Sequence, residues 1–486
     1  MKKESLKTKA AKGMAWSSMG TFASRGIGFV IGIILARILT PSDYGLIGML
    51  AIFFAISQIF IDGGLSKALI QKIDRDETDY STIFYYNLLV SIFLYVILFF
   101  SAPFIADFYD TPELSLLTRI LSLNIIIGSL SVVQKARLKI LMNFKTEAII
   151  IIISVVISGV LGITLAYLNF GVWALVVQSL TATVVTTILE FILNNWYPKL
   201  VFSRSSFQKL FGFSSKLLVA GLIAATFNNI YAILIGKLFA PKEVGFYTRG
   251  KQFPELIANT MSAILQGVTF PILTSLQNER ERMVQVYGKL MRTTVFVVIP
   301  VLTLFALLAE PFVRLFLTEK WMPIVPLIQW LCFARMITPI SALNMNILNA
   351  IGRSDLFLKV DLVKIPMAIL ALIITVPLGL IAVVIGNFIT TLISFFINTY
   401  YPGKIFGYGA KKQIIEMKSI VISSIIMVAC VLFVNYFLQE DFIKLIAGTI
   451  IGILSYLGTA HLMKVEETAE IKKAVLKIVG YKKISI

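Results

Sequence analysis

The chain of 486 residues is 58% hydrophobic and only 14% charged, with a mean hydropathy of +0.87. An ordinary globular protein is about 25% charged. This composition excludes a string of soluble domains, since apolar runs of about 20 residues, long enough to cross a bilayer, recur from Met14 to Met463. Because backbone polar groups in a bilayer must be satisfied within their own segment, the runs predict helices. The sequence therefore predicts an all-α polytopic membrane protein.

Polar and turn-rich breaks divide the chain into fourteen predicted spans. Their approximate limits are residues 14–38, 44–70, 80–106, 113–141, 146–168, 171–195, 208–239, 243–274, 283–309, 323–350, 355–377, 379–401, 416–438 and 442–463. The basic start MKKESLKTKAAKG leads into roughly 25 mostly apolar residues without a small-residue cleavage site, so we expect a retained first span rather than a signal peptide. Cys332 and Cys430 lie inside spans without any ligand spacing, which favours packing roles over a disulfide or a metal site.

The net charge of +18 follows the expected membrane topology. With the N-terminus placed in the cytoplasm, most of the 44 Lys and Arg residues fall in the two tails and the even-numbered loops, as the positive-inside rule requires. Such a face attracts anionic lipid, so the charge does not indicate a nucleic-acid partner. The tail at 464–483 carries an apolar stripe beside lysines and predicts an amphipathic helix on the membrane surface. We therefore expect both termini to be cytoplasmic.

One turn occurs twice, about 200 residues apart. ILARILTPSDYGLIGM at 34–49 matches LIGKLFAPKEVGFYTR at 234–249, which aligns Pro41 with Pro241 and Gly45 with Gly245. Three weaker matches keep the same order: APFIADFY with EPFVRLFL, FKT with GRS, and FGVWALVV with LGLIAVVI. Chance similarity of short apolar loops is one explanation. We favour tandem duplication of a six-helix unit as a parallel repeat, which predicts lobes at 1–200 and 201–402 and an appended segment, 403–486, with spans 13 and 14.

Charged residues inside the spans indicate what such a pair of lobes transports. Two similar bundles predict a cleft, and a charge at mid-membrane usually faces a cavity or a partner. The basic residues within spans are Arg25, Arg119, Lys216, Arg249, Lys251, Arg335 and Lys364, and the acidic ones are Asp62, Glu190, Glu255 and Asp361. The excess of cations predicts an anion-binding cleft, and guanidinium groups suit bidentate phosphate recognition. A cationic drug would need carboxylates or an aromatic cage instead.

Several of these charges also have structural explanations. Lys251 with Glu255, and Asp361 with Lys364, have the spacing of ion pairs within one helix. A charge near a span end can instead snorkel to the interface, which applies to Lys216 and Arg119.

The remaining basic residues, Arg25, Arg249 and Arg335, have no charged partner at helical spacing and lie deeper in their spans. They are the first candidates for holding an anionic substrate. Three carboxylates are candidates for coupling transport to Na⁺ or H⁺: Asp62, Glu255 and Asp361. Asp62 equally fits a polar residue at a helix end without a further role. The pattern contains no catalytic set and predicts neither a metal site nor a cofactor.

Two stretches near the N-terminus carry a family resemblance. ARILTPSDYGLIGML at 36–50, followed by FIDGGLSKALIQ at 60–71, resembles the N-terminal signature of the polysaccharide transporters, the Wzx-type flippases. The match is closest to the branch with colanic-acid and teichuronic-acid exporters. Beyond residue 71 the resemblance is carried by the layout of the spans and by scattered residues.

The resemblance implies the fold of the multidrug/oligosaccharidyl-lipid/polysaccharide (MOP) superfamily, with two six-helix lobes and two further helices. It implies a substrate in which an oligosaccharide is linked to undecaprenyl pyrophosphate, moved from the cytoplasmic to the outer leaflet of the bacterial cytoplasmic membrane during surface-polysaccharide or O-antigen export. A polysaccharide polymerase is the implied partner beside the membrane lipids. Lipid II flippases of the same superfamily carry arginines in the first helix, and Arg25 fits that placement; Arg249 and Arg335 are assigned by depth and charge alone.

Three rival functions remain open at this point. A MATE-type exporter of cations shares the implied fold, but the sign of charge within the spans disfavours it. A lipid II flippase is the second rival, against which the DxGLxxALIQ pattern favours the polysaccharide branch. An enzyme is disfavoured, because the single histidine, His461, lies at a span end and no nucleophile–base set stands out.

Overall fold

The computed structural model describes residues 6–62, 64–276 and 278–469, and the regular secondary structure within these ranges is helical. The chain divides into two compact units, Met1–Gly245 and Phe246–Ile486. The predicted amphipathic tail helix lies largely outside the described residues, which end at Ala469.

The first unit contains nine helices and the start of a tenth. They are α1 (Leu6–Ile38), α2 (Pro41–Asp62), α3 (Leu65–Gln71), α4 (Glu77–Phe108), α5 (Glu113–Leu121), α6 (Leu123–Ile140), α7 (Phe144–Tyr167), α8 (Val172–Asn194), α9 (Arg204–Leu238) and α10 (Pro241–Ser275). The second unit continues with α11 (Arg280–Leu307), α12 (Ala309–Phe316), α13 (Ile324–Ala350), α14 (Ser354–Thr375), α15 (Leu380–Phe406), α16 (Ala410–Phe437) and α17 (Asp441–Leu462).

Every predicted span corresponds to a helix or a pair of consecutive helices. The second span is interrupted at Gly64, whose φ of 76° lies in the left-handed region that glycine adopts without strain, and the fourth is interrupted at Ser122. Among the described residues, eleven segments are long and apolar enough to cross a membrane. The remaining predicted spans correspond to α9, α10 and α14. The polytopic helical class is thus confirmed, while the count of fourteen spans stays a prediction.

The helix surfaces show that the molecule is built for lipid. On α4 the side chains of Phe93, Phe100 and Phe104 are exposed, although a water-soluble protein buries such residues. Apolar residues therefore face outward as well as inward, so hydrophobic burial alone does not hold these helices together.

Buried hydroxyl and amide groups join the helices of the first unit to one another. Ser91 of α4 donates to Ser129 of α6 at 2.9 Å, and Ser131 of α6 lies 2.8 Å from the hydroxyl of Thr187 on α8. Hydrogen bonds of this kind stabilise helix pairs in a bilayer by roughly 0.6 kcal/mol on average. They fix the rotation of α6 between α4 and α8, which determines which α6 residues point away from the core.

The repeated turns pack against each other within the first unit. A Cβ atom added to Gly45 would lie 1.7 Å from the carbonyl oxygen of Pro241, and one added to Gly245 would lie 1.8 Å from that of Pro41. Aligned residues of the two sequences thus make reciprocal backbone contacts that only glycine permits. This reciprocity supports the predicted duplication, although the repeat arrangement itself stays a prediction.

The start of α2 shows why this turn has its sequence. Thr40 precedes Pro41, and both its backbone N–H (2.8 Å) and its hydroxyl (2.7 Å) donate to the Asp43 carboxylate. Proline suits the first position of a helix because its missing N–H has no partner there. The Asp43 carboxylate, in the first turn of α2, also interacts favourably with the positive end of the helix dipole.

A buried carboxylate organises the start of α4. Asp79 is fully buried, forms a capping box with Asp76, and lies 2.5 Å from the Lys72 ammonium. The hydrogen bond with Asp79 raises the pKa of Lys72, which lies in the connection between α3 and α4. The connection is therefore held by a charged pair as well as by apolar packing.

One cluster of buried residues in the second unit contains side chains from α10, α11, α13, α14, α15, α16 and α17. Within it, the Tyr287 hydroxyl, the Asn344 side chain and the Gln413 side chain form a buried polar network. The helices of spans 13 and 14 are part of this unit. The predicted lobes at 1–200 and 201–402 and the appended segment at 403–486 stay predictions. Both cysteines are free, Cys332 being buried and Cys430 partly buried, as expected for packing residues.

Candidate functional site

Three of the predicted site residues meet between α10 and α13 of the second unit. Arg335 of α13 donates through Nη2 to Oε1 of Glu255 on α10, at 3.0 Å. The same carboxylate oxygen lies 3.5 Å from Nζ of Lys251, one helical turn earlier. The predicted pair within α10 is therefore present, and Arg335 joins it. We call Lys251, Glu255 and Arg335 the α10–α13 cluster.

Close helix packing brings the α10–α13 cluster together. A Cβ atom added to Gly250 would lie 3.3 Å from the Cβ of Leu327 on α13, so the two helices nearly touch at this point. Arg335 follows Leu327 by two helical turns and therefore lies on the same side of α13. Its Nη1 atom also lies 3.5 Å from the side-chain oxygen of Asn387 on α15.

Arg249 lies two residues before Lys251 on α10, on a different side of the helix. It is only 6% exposed, and its Nη1 donates to Oε1 of Gln252 at 2.6 Å. Its guanidinium carbon also lies 5.5 Å from the centre of the Phe253 ring, a cation–π arrangement. The contact with Gln252 lies three residues along the same helix, a spacing at which side chains are neighbours.

The α10–α13 cluster carries two cations and one carboxylate. Arg335 keeps 17% of its side chain exposed, and Lys251 and Glu255 keep 20% and 30%. These side chains are therefore shielded enough from water for strong electrostatic interactions and exposed enough to contact a ligand. The excess of positive charge within this part of the structure suits an anion rather than a cation.

The second predicted pair is present on another helix. Lys364 lies 2.7 Å from Asp361, three residues earlier on α14, with 22% and 47% of their side chains exposed. Such an exposed pair within one helix is worth roughly 0.3–0.5 kcal/mol. Its geometry is explained by local helix stability without a ligand.

Arg119 has a structural role that the sequence analysis did not identify. Its Nε donates at 3.3 Å to the backbone carbonyl of Phe99, and its guanidinium lies 4.7 Å from the centre of that ring. Within a regular helix the Phe99 carbonyl would accept from residue 103, but Pro103 has no N–H. Arg119 therefore satisfies a carbonyl that the proline leaves without its helical donor. A part in binding substrate stays a prediction.

Arg25 lies on α1 in the first unit and is exposed. Cβ atoms added to the nearby Gly26 and Gly28 would meet nothing within 4 Å, so this part of α1 borders open space within the structure. The side chains of two further predicted site residues, Lys216 and Asp62, lie outside the described ones.

Sequence reasoning missed the contacts between site residues from distant parts of the chain. Glu255 and Arg335 are 80 residues apart, and Asn387 is 52 residues beyond Arg335. Spacing along one helix reveals only partners three or four residues away. A signal was nevertheless present, because an intramembrane cation without a local partner calls for a partner on another helix.

Membrane-length helices around a polar, net-positive cluster define a polytopic protein of the transporter class. The solved structure of the lipid II flippase MurJ, in its inward closed conformation, superposes with a TM-score of 0.75 at 18% identity, covering 92% of this chain and 98% of that one. An inward-facing multidrug resistance MATE family transporter of the MOP superfamily superposes with a TM-score of 0.60 at 17% identity, covering 79% and 96%. These likenesses establish the fold.

The profile of the family described as polysaccharide biosynthesis protein matches residues 34–326. The chain belongs to this family, which confirms the resemblance seen in the sequence. It is 26% identical to the teichuronic acid biosynthesis protein TuaB of Bacillus subtilis, over 72% of this chain and 73% of that protein. It is 27% identical to the succinoglycan biosynthesis transport protein ExoT of Rhizobium meliloti, over 68% and 67%. The lipopolysaccharide biosynthesis protein WzxC of Escherichia coli is 23% identical, over 81% of each chain.

Proposed function

We propose that the protein is a flippase for lipid-linked oligosaccharides. It moves glycan units carried on undecaprenyl pyrophosphate from the inner to the outer leaflet by alternating access, for the export of a cell-surface polysaccharide. Membership of the polysaccharide biosynthesis protein family supports the substrate class, and relatives named as transport proteins support transport rather than enzymatic chemistry. The excess of positive charge in the α10–α13 cluster, where Lys251 and Arg335 share the carboxylate of Glu255, is the observation that carries the proposal.

In this mechanism Glu255 acts as an internal stand-in for the substrate. Without substrate, its carboxylate accepts from Arg335 and lies beside Lys251. The pyrophosphate displaces it and takes over both cations, since each phosphate group offers several anionic oxygens for charge-assisted hydrogen bonds. Protonation of Glu255 on release of the cations would link transport to H⁺, while Asp361 and Asp62 remain the other coupling candidates. Loss of the substrate restores the ion pair.

The experiment uses purified protein in liposomes with a fluorescent undecaprenyl-pyrophosphate oligosaccharide. The accessible fraction of the label at each leaflet is followed for the wild type, Arg335→Gln and Arg249→Gln. Arg282→Gln is the matched control, because Arg282 is an exposed arginine of the same unit with 66% of its side chain exposed. We expect reorientation by the wild type and the control, and a loss of about tenfold or more in Arg335→Gln and in Arg249→Gln, which corresponds to about 1.4 kcal/mol in the barrier.

Two outcomes would contradict different parts of this proposal. Undiminished reorientation in folded Arg335→Gln and Arg249→Gln would retain the flippase and remove the site. No reorientation by the wild type, with or without an imposed Na⁺ or H⁺ gradient, would remove the substrate. Lipid II, in the same liposomes, tests the alternative suggested by the sequence analysis, and uptake of an organic cation tests MATE-type export.

The proposed location is the bacterial cytoplasmic membrane, with both termini in the cytoplasm. The distribution of Lys and Arg supports this orientation. Reporter fusions after Phe170 and after Lys404 test it, because these positions belong to an odd-numbered and an even-numbered predicted loop. Opposite reporter signals at the two positions are expected. A polysaccharide polymerase that receives the reoriented lipid-linked glycan is the proposed partner.

A further inference from the structure

A cavity of about 420 Å³ lies within the first unit, and no residue of the α10–α13 cluster lines it. Its polar lining consists of Gln58 from α2, Ser66 and Lys67 from α3, and Lys135 and Lys139 from α6; Leu218 of α9 lies beside them. Pockets that bind small molecules typically measure about 300–1,000 Å³. The space is therefore large enough for a diphosphate group.

The core of the first unit determines that these lysines face the cavity. Leu65, Ala68 and Leu69 of α3 pack into a buried cluster, which leaves Lys67 on the opposite side of this short helix. On α6 the buried positions Val133 and Ala136 belong to the same cluster. Lys135 and Lys139 are four residues apart, so they lie one above the other on a single exposed face.

The positive charge of the cavity is not neutralised by ion pairs. Among the described residues, none of Lys67, Lys135 and Lys139 has a carboxylate within the 4.0 Å of a salt bridge, and none of the described lining residues is acidic. Glu190 of α8 interacts electrostatically with Lys135 and Lys139, but it is only 2% exposed and does not line the cavity. Three lysines, with nine N–H donors among their ammonium groups, therefore line one space.

A general preference for cytoplasmic lysines explains why a loop is basic, but not why three lysines line one concave space. That preference counts residues per loop and places no demand on their mutual distance. Here the lysines come from α3 and α6, more than 60 residues apart in sequence, and converge with a glutamine and a serine. Like charges brought together without a counter-ion repel one another, and a bound anion removes that cost.

We propose that this cavity binds the phosphate or pyrophosphate headgroup of a lipid. Lys135 and Lys139 hold the anionic oxygens from one side and Lys67 from the other, while Gln58 and Ser66 donate the neutral hydrogen bonds. The apolar atoms of Leu218 and the neighbouring helices border the start of the lipid chain. The headgroup comes from the lipid-linked substrate or from an anionic phospholipid; assigning the substrate as its source rests on the proposed function.

Binding is measured on the full-length protein in nanodiscs of neutral phosphatidylcholine. Inorganic pyrophosphate and farnesyl pyrophosphate are titrated calorimetrically, with farnesol as the uncharged comparison. The test variant is K135Q/K139Q, which keeps side-chain length and removes two charges. The control variant is K199Q, because Lys199 is an exposed lysine of the same unit that does not line the cavity. Size-exclusion profiles establish that each variant is folded.

We expect saturable binding of both pyrophosphates to the wild type, a Kd at least tenfold higher in K135Q/K139Q, and no change in K199Q. An equal Kd in the wild type and K135Q/K139Q overturns the proposal, as does the absence of saturable pyrophosphate binding. Nanodiscs that contain phosphatidylglycerol separate the two sources: a raised wild-type Kd identifies a resident phospholipid, and an unchanged Kd identifies the transported lipid. Because this experiment measures binding and not transport, its result can be interpreted even when the flippase proposal fails.

Discussion

Replacing Tyr456 by phenylalanine removes a single hydroxyl whose partner has no other donor in its own helix. Tyr456 of α17 is 4% exposed and donates at 2.7 Å to the backbone carbonyl of Phe296 on α11. In a regular helix that carbonyl would accept from residue 300, which is Pro300. Phenylalanine keeps the ring and its packing, so the variant isolates the hydrogen bond.

The expected cost exceeds that of an ordinary hydrogen bond between membrane helices. Such bonds contribute roughly 0.6 kcal/mol on average, because the separated helices find other partners. The Phe296 carbonyl finds no such partner at position 300 of α11, because Pro300 has no N–H whether the helices are packed together or separated. Leaving a buried acceptor unsatisfied costs about 1–3 kcal/mol. We expect Tyr456→Phe to lower the free energy of unfolding by about 1–2 kcal/mol.

A double-mutant cycle with Pro300→Ala tests this reasoning. Alanine restores the N–H at position 300, so the Phe296 carbonyl regains its helical donor and the tyrosine becomes less important. Unfolding in mixed micelles with increasing sodium dodecyl sulfate, followed by circular dichroism, should show that Tyr456→Phe costs less than about 0.5 kcal/mol in the Pro300→Ala background. Tyr436→Phe is the control, because Tyr436 is 84% exposed on neighbouring α16. An equal cost of Tyr456→Phe in both backgrounds would refute the argument.

Two further substitutions test the contacts within the first unit. Gly45→Ala places a Cβ 1.7 Å from the Pro241 carbonyl oxygen, so we expect destabilisation at or above the upper end of the about 1–3 kcal/mol typical of overpacking; Gly26→Ala, which meets nothing within 4 Å, should be tolerated. Comparable thermal stability of the two alanine variants would contradict the close backbone contact between the two repeated turns. Asp79→Asn removes the charge that pairs with Lys72, while the amide oxygen of asparagine still accepts from the Asp76 N–H. We expect a loss of about 1–3 kcal/mol, less than the roughly 3–5 kcal/mol of breaking a fully buried pair, because the Lys72 side chain is 23% exposed and reaches water. Proteolysis at the connection between α3 and α4 should rise in parallel, and an unchanged cleavage rate would argue against the pair.

Hydropathy predicted the fold class well because a bilayer requires long apolar segments wherever the chain crosses it. It did not predict the interruptions at Gly64 and Ser122, since Ser122 lies in an apolar stretch and the short polar break before Gly64 is averaged with the apolar residues on either side. The left-handed φ at Gly64 depends on how α3 packs. Hydropathy averaged over neighbouring residues carries no information about that packing. Element type was therefore predictable, and the direction in which the chain leaves each element was not.

The candidate site was predictable in its charges but only partly in its contacts. The pair of Lys251 and Glu255 followed from helical periodicity, whereas the approach of Arg335 depends on the packing of α10 against α13. Arg119 illustrates the opposite error. Pro103 indicates that the Phe99 carbonyl lacks its helical donor. Nothing in the sequence identifies Arg119 as the side chain that replaces this donor.

The two helices at the C-terminal end of the described chain have a consequence for shortened forms of the protein. In sequence, α16 and α17 look like additions to a duplicated bundle. In the second unit, Arg292 of α11 lies 3.3 Å from Glu416 of α16 and 3.1 Å and 3.3 Å from Glu466 and Glu467 after α17. A truncation before α16 would remove three carboxylates from around one guanidinium. The helices of predicted spans 13 and 14 are thus joined to α11 by ion pairs, and we expect a chain shortened before α16 to lose part of the stability of the second unit.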